Sequence, residues 1–343
     1  MSITDKINSQ IIVDNDLYPS YIGRTLNIEI TSQCNERCIY CQYYAKGSHK
    51  NKRVIDDEFF YRITKEAYDL GITDVGLYIT AEPLMNPKVY DYVHYLKHII
   101  GFKYVYISTN GILLTPKNLE KLAAAGIDSI KFSVSGSNPE TFEKHHGINA
   151  FSRVYENIKY AYQYRKEKNL NYKLYMFSIL TEFNKNEKKE IEATYGPYVD
   201  ELVISNVIAN RSVKGVKEYL CLKEEDYSIT HDLVGKLPCK SLFNRITINE
   251  KGDLLACCFD VTSNLTVIAD LNNTKLKDAV YSKEFVELRR KHIENKIENT
   301  ICNFCLRGIK ENIYSMVDNM NINSSKIQEI DLSSEIKSRF DIV

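Results

Sequence analysis

The chain has 343 residues, 44% apolar and 26% charged, with 45 Lys+Arg balanced by 45 Asp+Glu. That balance excludes a global field for nucleic acid or an anionic membrane surface, and no stretch reaches the roughly 20 apolar residues of a membrane-spanning helix. The length exceeds one compact core and predicts a large α/β domain with a smaller companion.

Residues 1–22 show no pattern that assigns them a role, and they are too polar for a signal peptide. The nine cysteines, an odd number in two groups, indicate a cytoplasmic, reducing setting in which thiols serve as metal ligands or reactive groups rather than in disulfides. "TLNIEIT" (25–31) alternates as a strand and runs into "TSQCNERCIYCQYY", which holds Cys34, Cys38 and Cys41. Residues 56–71 form a helix with Phe59, Ile63, Ala67 and Leu70 on one face and Gly71 as its stop. Strand 74–80 follows. Helix 86–101 then opens on Asn86 as cap and Pro87 at its first position, with Gly101 at its end.

The same punctuation recurs. Strand 103–109 leads to helix 115–126, strand 129–135 to helix 138–147, and strand 172–180 to a polar helix over 184–195, before a strand at 200–207. About six β–α alternations with short loops predict a parallel sheet, closed or nearly closed like a barrel. They are fewer than the eight of a full barrel. The alternation stops near residue 210. "PCKSLFNRITINEKGDLLACCFD" then reads as a hairpin with Gly252 in its turn, pairing Ile248 with Leu254, and a helix is expected at 275–293. The tail from 309 is polar and has no assigned role.

Because strand 25–31 precedes them, Cys34, Cys38 and Cys41 sit in a loop at the C-terminal end of a strand, where β/α barrels build active sites. A zinc ion would need a fourth ligand, and none follows until His49. A four-iron cube held by three thiolates leaves one iron open.

The spacing C-x3-C-x2-C, with Tyr40 before the third cysteine, resembles the radical S-adenosylmethionine (SAM) enzymes. The resemblance implies a [4Fe–4S] cluster on Cys34, Cys38 and Cys41 whose open iron is chelated by SAM. Cleavage of SAM would give a 5′-deoxyadenosyl radical. "TAEP" (80–83) resembles the family's Gly-Gly-Glu-Pro loop, with Glu82 accepting from the SAM ammonium. Thr80 and Ala81 depart from that pattern. "STNG" and "SVSG" resemble the ribose and carboxylate contacts of SAM, which makes Asn110, Ser133 and Ser135 candidates, although Ser and Asn at strand ends also serve as helix caps.

Cys239, Cys257, Cys302 and Cys305 resemble the ligands of a SPASM/twitch domain. They imply one auxiliary [4Fe–4S] cluster, with a zinc ribbon as the alternative. The implied fold is a partial (β/α)6 TIM-like barrel with a small cysteine-rich twitch/SPASM domain. The boundaries are 1–22 for an extension, 23–235 for the barrel, 236–310 for the auxiliary domain and 311–343 for the tail.

By cysteine layout, the resemblance is to twitch-containing dehydrogenases of aminocyclitols. It implies an oxidoreductase that takes hydrogen from a carbinol carbon of a small polar substrate (a sugar, aminocyclitol or nucleotide-sugar), while the auxiliary cluster accepts an electron. A flavodoxin or ferredoxin would supply electrons. Epimerisation is the rival, with Cys258 as hydrogen-atom donor and facing away from Cys257 if both lie on a strand. Asp260 is then a candidate base. Peptide modification is a third option, although only 33 residues precede Cys34, so a leader-binding domain would be a separate protein. His145 and His146, near a helix end, read as carbonyl caps or water-facing groups.

Overall fold

The computed structural model describes residues 16–41, 52–206, 237–258, 266–298, 300 and 302–303. His49, Cys221, Asp260, Cys305 and the tail lie outside the described residues. No helix among the described residues is long and apolar enough to cross a membrane.

The elements, in chain order, are β1 (Thr25–Ile28), α1 (Asp57–Asp69), β2 (Asp74–Gly76), α2 (Val89–His94), β3 (Tyr104–Thr109), α3 (Pro116–Ala124), β4 (Ser129–Ser133), α4 (Pro139–His146) and α5 (Phe151–Glu167). They continue with β5 (Lys173–Leu180), α6 (Lys188–Tyr195), β6 (Glu201–Asn206), α7 (Lys240–Asn244), β7 (Arg245–Ile248), β8 (Asp253–Leu255), β9 (Val267–Asp270), α8 (Leu276–Val280) and α9 (Lys283–Ile293). One nine-stranded sheet runs β6-β5-β4-β3-β2-β1-β7-β8-β9. The first six strands are parallel and in sequence order, the expected arrangement of right-handed crossovers with helices on one face.

The pleat sorts the residues. Leu26, Ile28, Val75, Ile107, Phe132 and Met176 join the buried helix stripes in the hydrophobic core. The alternate positions, Asn27, Tyr106, Lys131 and Tyr175 among them, face the other way. That second face is polar and is the interior of the barrel.

Several local expectations are corrected. Helix α2 begins at Val89, because the Asn86 side chain donates to Ile30 O (2.9 Å) and accepts from Lys88 N–H, which locks Asn86 and Pro87 into a turn. Its last stretch, Tyr95–Ile100, is π-helical. The single helix expected at 275–293 is two, because Ser282 accepts from Phe285 N–H and starts α9 afresh. The seventeen-residue α5 was not foreseen; its stripe of Val154, Ile158 and Ala161 is interrupted by buried Asn157. The hairpin holds as read, with Ile248 paired to Leu254 and Gly252 at φ +93°.

The C-terminal segment does not stand apart from the barrel sheet. β7 pairs in parallel with β1, Thr25 with Arg245 through Ile28 with Ile248. α1 adds two ties: Arg62 donates to Leu271 O (2.6 Å), and Glu66 accepts from Leu276 N–H (2.7 Å).

On the interior face, Gly76 leaves room for a ring: a Cβ there would lie 2.7 Å from Tyr106 Cζ. Gly76→Ala is expected to destabilise the fold by about 1–3 kcal/mol through overpacking. An unchanged urea midpoint would contradict that placement of Tyr106.

Candidate active site

The loop after β1 carries Cys34, Cys38 and Cys41 and is held on three sides. Glu82 N–H donates to Gln33 O (3.0 Å), and Asn110 Nδ2 donates to Asn35 Oδ1 (2.7 Å). Arg37 N–H and Ile39 N–H donate to the carbonyls of His146 and His145 (3.0 and 2.9 Å). The cysteine loop thus caps the last turn of α4, satisfying carbonyls that a helix end leaves open. Gly147 (φ +66°) makes the approach feasible, since a Cβ there would lie 2.9 Å from Arg37 Cβ.

The two histidines are therefore not water-facing; both are fully buried. Ser135 N–H donates to His146 Nε2 (3.0 Å), which leaves the proton of a neutral ring on Nδ1. That Nδ1 lies 2.9 Å from Glu36 Oε2 and 3.3 Å from Cys38 Sγ, and Cys38 Sγ is 3.1 Å from the same carboxylate oxygen. Glu36 Oε1 is buried without a hydrogen-bond partner. His145 is also orientated, 2.7 Å from both Thr141 O and Thr181 Oγ1. Burial pulls it down to about 4, so it is neutral near pH 7.

Two buried carboxylates organise the neighbouring loop. Glu82 accepts from Leu84 N–H, Thr109 Oγ1 and Asn110 N–H (3.0, 2.8 and 2.8 Å). Glu29 accepts from Thr80 N–H (2.8 Å), Thr80 Oγ1 (2.7 Å) and Ala81 N–H (3.1 Å). Burial pushes each of them up to about 7, with these hydrogen bonds opposing it. Thr80 and Ala81, where the family pattern has two glycines, are thus fastened to Glu29. No sequence signal marked Glu29 or Glu36, and none tied His146 to the cysteine loop, because these contacts join residues distant in the chain.

The other candidates gather around the same rim. Asn110 spends its amide on Asn35 and accepts from Ile112 N–H (3.1 Å). Ser133 Oγ meets Ser108 Oγ at 3.1 Å. Ser135 Oγ accepts from Ile179 N–H (3.0 Å) and meets the Tyr40 hydroxyl at 3.4 Å. None of the three serves as a helix cap; the cap of α4 is Asn138.

In the C-terminal segment Cys239 precedes α7, and its N–H donates to His292 Nδ1 (3.3 Å). Cys257 and Cys258 follow the end of β8, so the expectation that they alternate along a strand is corrected. Cys302 packs against the core. Cys258 is raised by burial, with Arg245 opposing and Cys239 adding to the rise; its thiol form is favoured, and it lies near Cys239.

The donor set fits iron–sulfur ligation. No described cysteine is in a disulfide. Burial, then neighbouring carboxylate and thiol charges, raises Cys34, and burial with Glu36, Cys41 and Cys34 raises Cys38. Metal binding would have to displace these protons. Among the described residues the one donor group within 4.8 Å is Glu36, Cys38 and His146. Three thiolates from one loop would leave one iron of a four-iron cube without a protein ligand.

Comparison with known proteins agrees. The family model described as "Radical SAM superfamily" matches residues 28–191, and "Iron-sulfur cluster-binding domain" (SPASM) matches 239–306. A probable GTP 3′,8-cyclase of Saccharolobus islandicus is 36% identical over 137 residues, 40% of this chain and 42% of that protein. The GTP 3′,8-cyclase of Clostridium acetobutylicum is 30% identical over 133 residues, 39% of this chain and 41% of that one. The chain thus spans about two fifths of the length of the curated relatives it matches.

Among solved structures, anSMEcpe with bound AdoMet has a TM-score of 0.61 at 15% identity, covering 92% of this chain and 96% of its own. Streptococcus suis SuiB bound to the precursor peptide SuiA gives 0.57 at 15%, with 82% and 68% covered. BtrN in complex with AdoMet and 2-DOIA gives 0.51 at 18%, with 83% and 92% covered. At these identities the likeness is one of fold.

Glu29 supplies a pH test. With its pKa raised from 4.5 to about 7, the folded chain holds the proton more tightly than the unfolded one. The contribution is full below pH 4.5 and is lost as pH rises through 7. Glu29→Gln is expected to flatten that part of the urea-midpoint profile. It should also cost about 1–3 kcal/mol at pH 8, because an amide NH2 would then face backbone N–H donors. An unchanged profile would contradict the assignment.

Proposed function

We propose that this chain, which belongs to the radical SAM superfamily and carries a SPASM iron–sulfur domain, abstracts a hydrogen atom from a carbinol or similar C–H bond of a small polar substrate held in the barrel interior. The observation that carries this reading is the loop of Cys34, Cys38 and Cys41, fixed at the C-terminal end of β1 over a polar, tyrosine-lined face. When bound, SAM and its [4Fe–4S] cluster supply a 5′-deoxyadenosyl radical, and a second cluster supplies an electron acceptor. Cys34, Cys38 and Cys41 would hold the first cluster, and Cys239, Cys257, Cys302 and Cys305 the second. A reduced flavodoxin or ferredoxin provides the electron.

The remaining residues position and shield. Glu82, already accepting three internal hydrogen bonds, sits beside Gln33 and would accept from the SAM ammonium. Asn110, Ser133 and Ser135 would contact the ribose and carboxylate of SAM, with Tyr40 beside Ser135. Hydrogen loss from a carbinol carbon, with the hydroxyl proton passing to a base and one electron to the acceptor, gives a ketone. Asp260 is the candidate base.

Epimerisation is a second reading, favoured by Cys258. Its thiol is kept protonated by burial close to Arg245, the state needed to return a hydrogen atom. The curated relatives are named for GTP cyclisation, and over their limited shared length they support radical generation without specifying the product.

The test is reconstitution with iron and sulfide. The Cys34→Ala, Cys38→Ala, Cys41→Ala triple variant should retain about half the iron of two four-iron clusters and lose all SAM cleavage under dithionite; full cleavage would sink the reading. With the true substrate in deuterated solvent, a dehydrogenase gives a carbonyl product lighter by two hydrogens. An epimerase gives an isomer carrying one deuteron at the inverted carbon.

A further inference from the structure

One buried set beside the cysteine loop has no part in the reading above. His146 is the last residue of α4, fully buried, and its neighbours fix the ring on every side. Phe142 stacks on it with ring centres 4.3 Å apart, and Tyr40 meets it edge-on at 6.0 Å. Ser135 N–H donates to Nε2 (3.0 Å), and Glu36 Oε2 lies 2.9 Å from Nδ1. Because a backbone donor occupies Nε2, the ring carries its proton on Nδ1.

That N–H faces sulfur as well as oxygen. Cys38 Sγ lies 3.3 Å from His146 Nδ1 and 3.1 Å from Glu36 Oε2. While the loop is empty, the Cys38 thiol donates to the carboxylate. Ligation removes that thiol proton. Sulfur and carboxylate oxygen then become two acceptors in contact, and the Nδ1 hydrogen is within reach of both. Glu36 Oε1 is buried without a partner. That costs folding free energy, and an orienting role for the carboxylate accounts for it. Carboxylates that turn an imidazole toward a metal centre act in the same way.

We propose that His146 is a positioning residue for the cluster of the cysteine loop: its Nδ1–H donates to Cys38 Sγ, while Glu36 and Ser135 hold the ring in that orientation. This rests on the reading that Cys38 is a cluster ligand. A hydrogen bond to a ligating sulfur stabilises negative charge there and favours the reduced cluster, so it raises the reduction potential. His146 thereby sets how readily the loop's cluster is reduced.

The test uses the full chain with both clusters reconstituted and follows their reduction by electron paramagnetic resonance at controlled potential. The signal missing from the Cys34→Ala, Cys38→Ala, Cys41→Ala triple variant identifies the loop cluster. His146→Gln places its amide near the Nε2 position, so it keeps an acceptor for Ser135 N–H but loses the donor at Nδ1. It should shift the reduction of the loop cluster about tenfold toward the oxidised form, or about 59 mV for one electron. The auxiliary cluster should stay where it was. His146→Asn, which puts an amide N–H close to where Nδ1 stood, should restore most of the shift.

An unmoved potential in His146→Gln overturns the proposal. So does a shift in His146→Asn as large as in His146→Gln, or one shared equally by the two clusters. Should either variant lose its loop iron, the unaltered chain decides. With histidine labelled in heavy nitrogen, its reduced loop cluster should show a histidine nitrogen coupling by electron–nuclear double resonance, and absence of that coupling overturns the hydrogen bond. Iron content and SAM cleavage of the unaltered chain separate this failure from failure of the broader reading.

Discussion

The parallel pairing of β1 with β7 is the constraint on which the architecture depends. β1 delivers the loop of Cys34, Cys38 and Cys41 from its C-terminal end, and β7 leads through a tight hairpin to Cys257 and Cys258. Four residues in register therefore join two cysteine groups more than two hundred positions apart in the chain. Because strand pairing fixes register and facing together, it also turns Arg245 inward with Asn27 while Ile246 and Ile248 enter the core. A slip of one residue would exchange those faces and put an arginine among aliphatic side chains.

Inside that frame, buried carboxylates fasten the loop that carries glycines in the related pattern. Thr80 and Ala81 cannot approach a cofactor as freely as glycine, yet their amides are gathered onto Glu29 while Glu82 binds the next strand end. The loop is made rigid by buried acceptors instead of being left permissive. The two acids sit in a desolvated environment that raises both toward neutrality, so the hydrogen bonds holding the rim depend on protonation.

Much of the fold was legible because local chemistry and final packing agree. Asp56, Asn138 and Gly147 mark helix ends as their side chains and φ angles require, and the Gly252 hairpin kept its register. What escaped involved residues whose partners are remote. Helix α5 presents Asn157 in the middle of its apolar stripe, where it donates to the carbonyls of Gly111 and Ile112, so the periodicity is broken by a tertiary hydrogen bond. Asn86 looked like a cap and instead anchors to Ile30. The cysteine spacing announced itself in eight positions, whereas Glu36 and His146 became neighbours only through folding, 110 residues apart.

The capping of α4 by the cysteine loop has a thermodynamic consequence. The amides that close the end of that helix belong to residues interleaved with the thiols, so ordering one orders the other, and the coupling is reciprocal. Whatever tightens the loop through its sulfurs tightens the final turn of α4 by the same free energy. Amide exchange at that turn would then slow on loading, making the end of a helix a reporter of occupancy that needs no view of the metal itself.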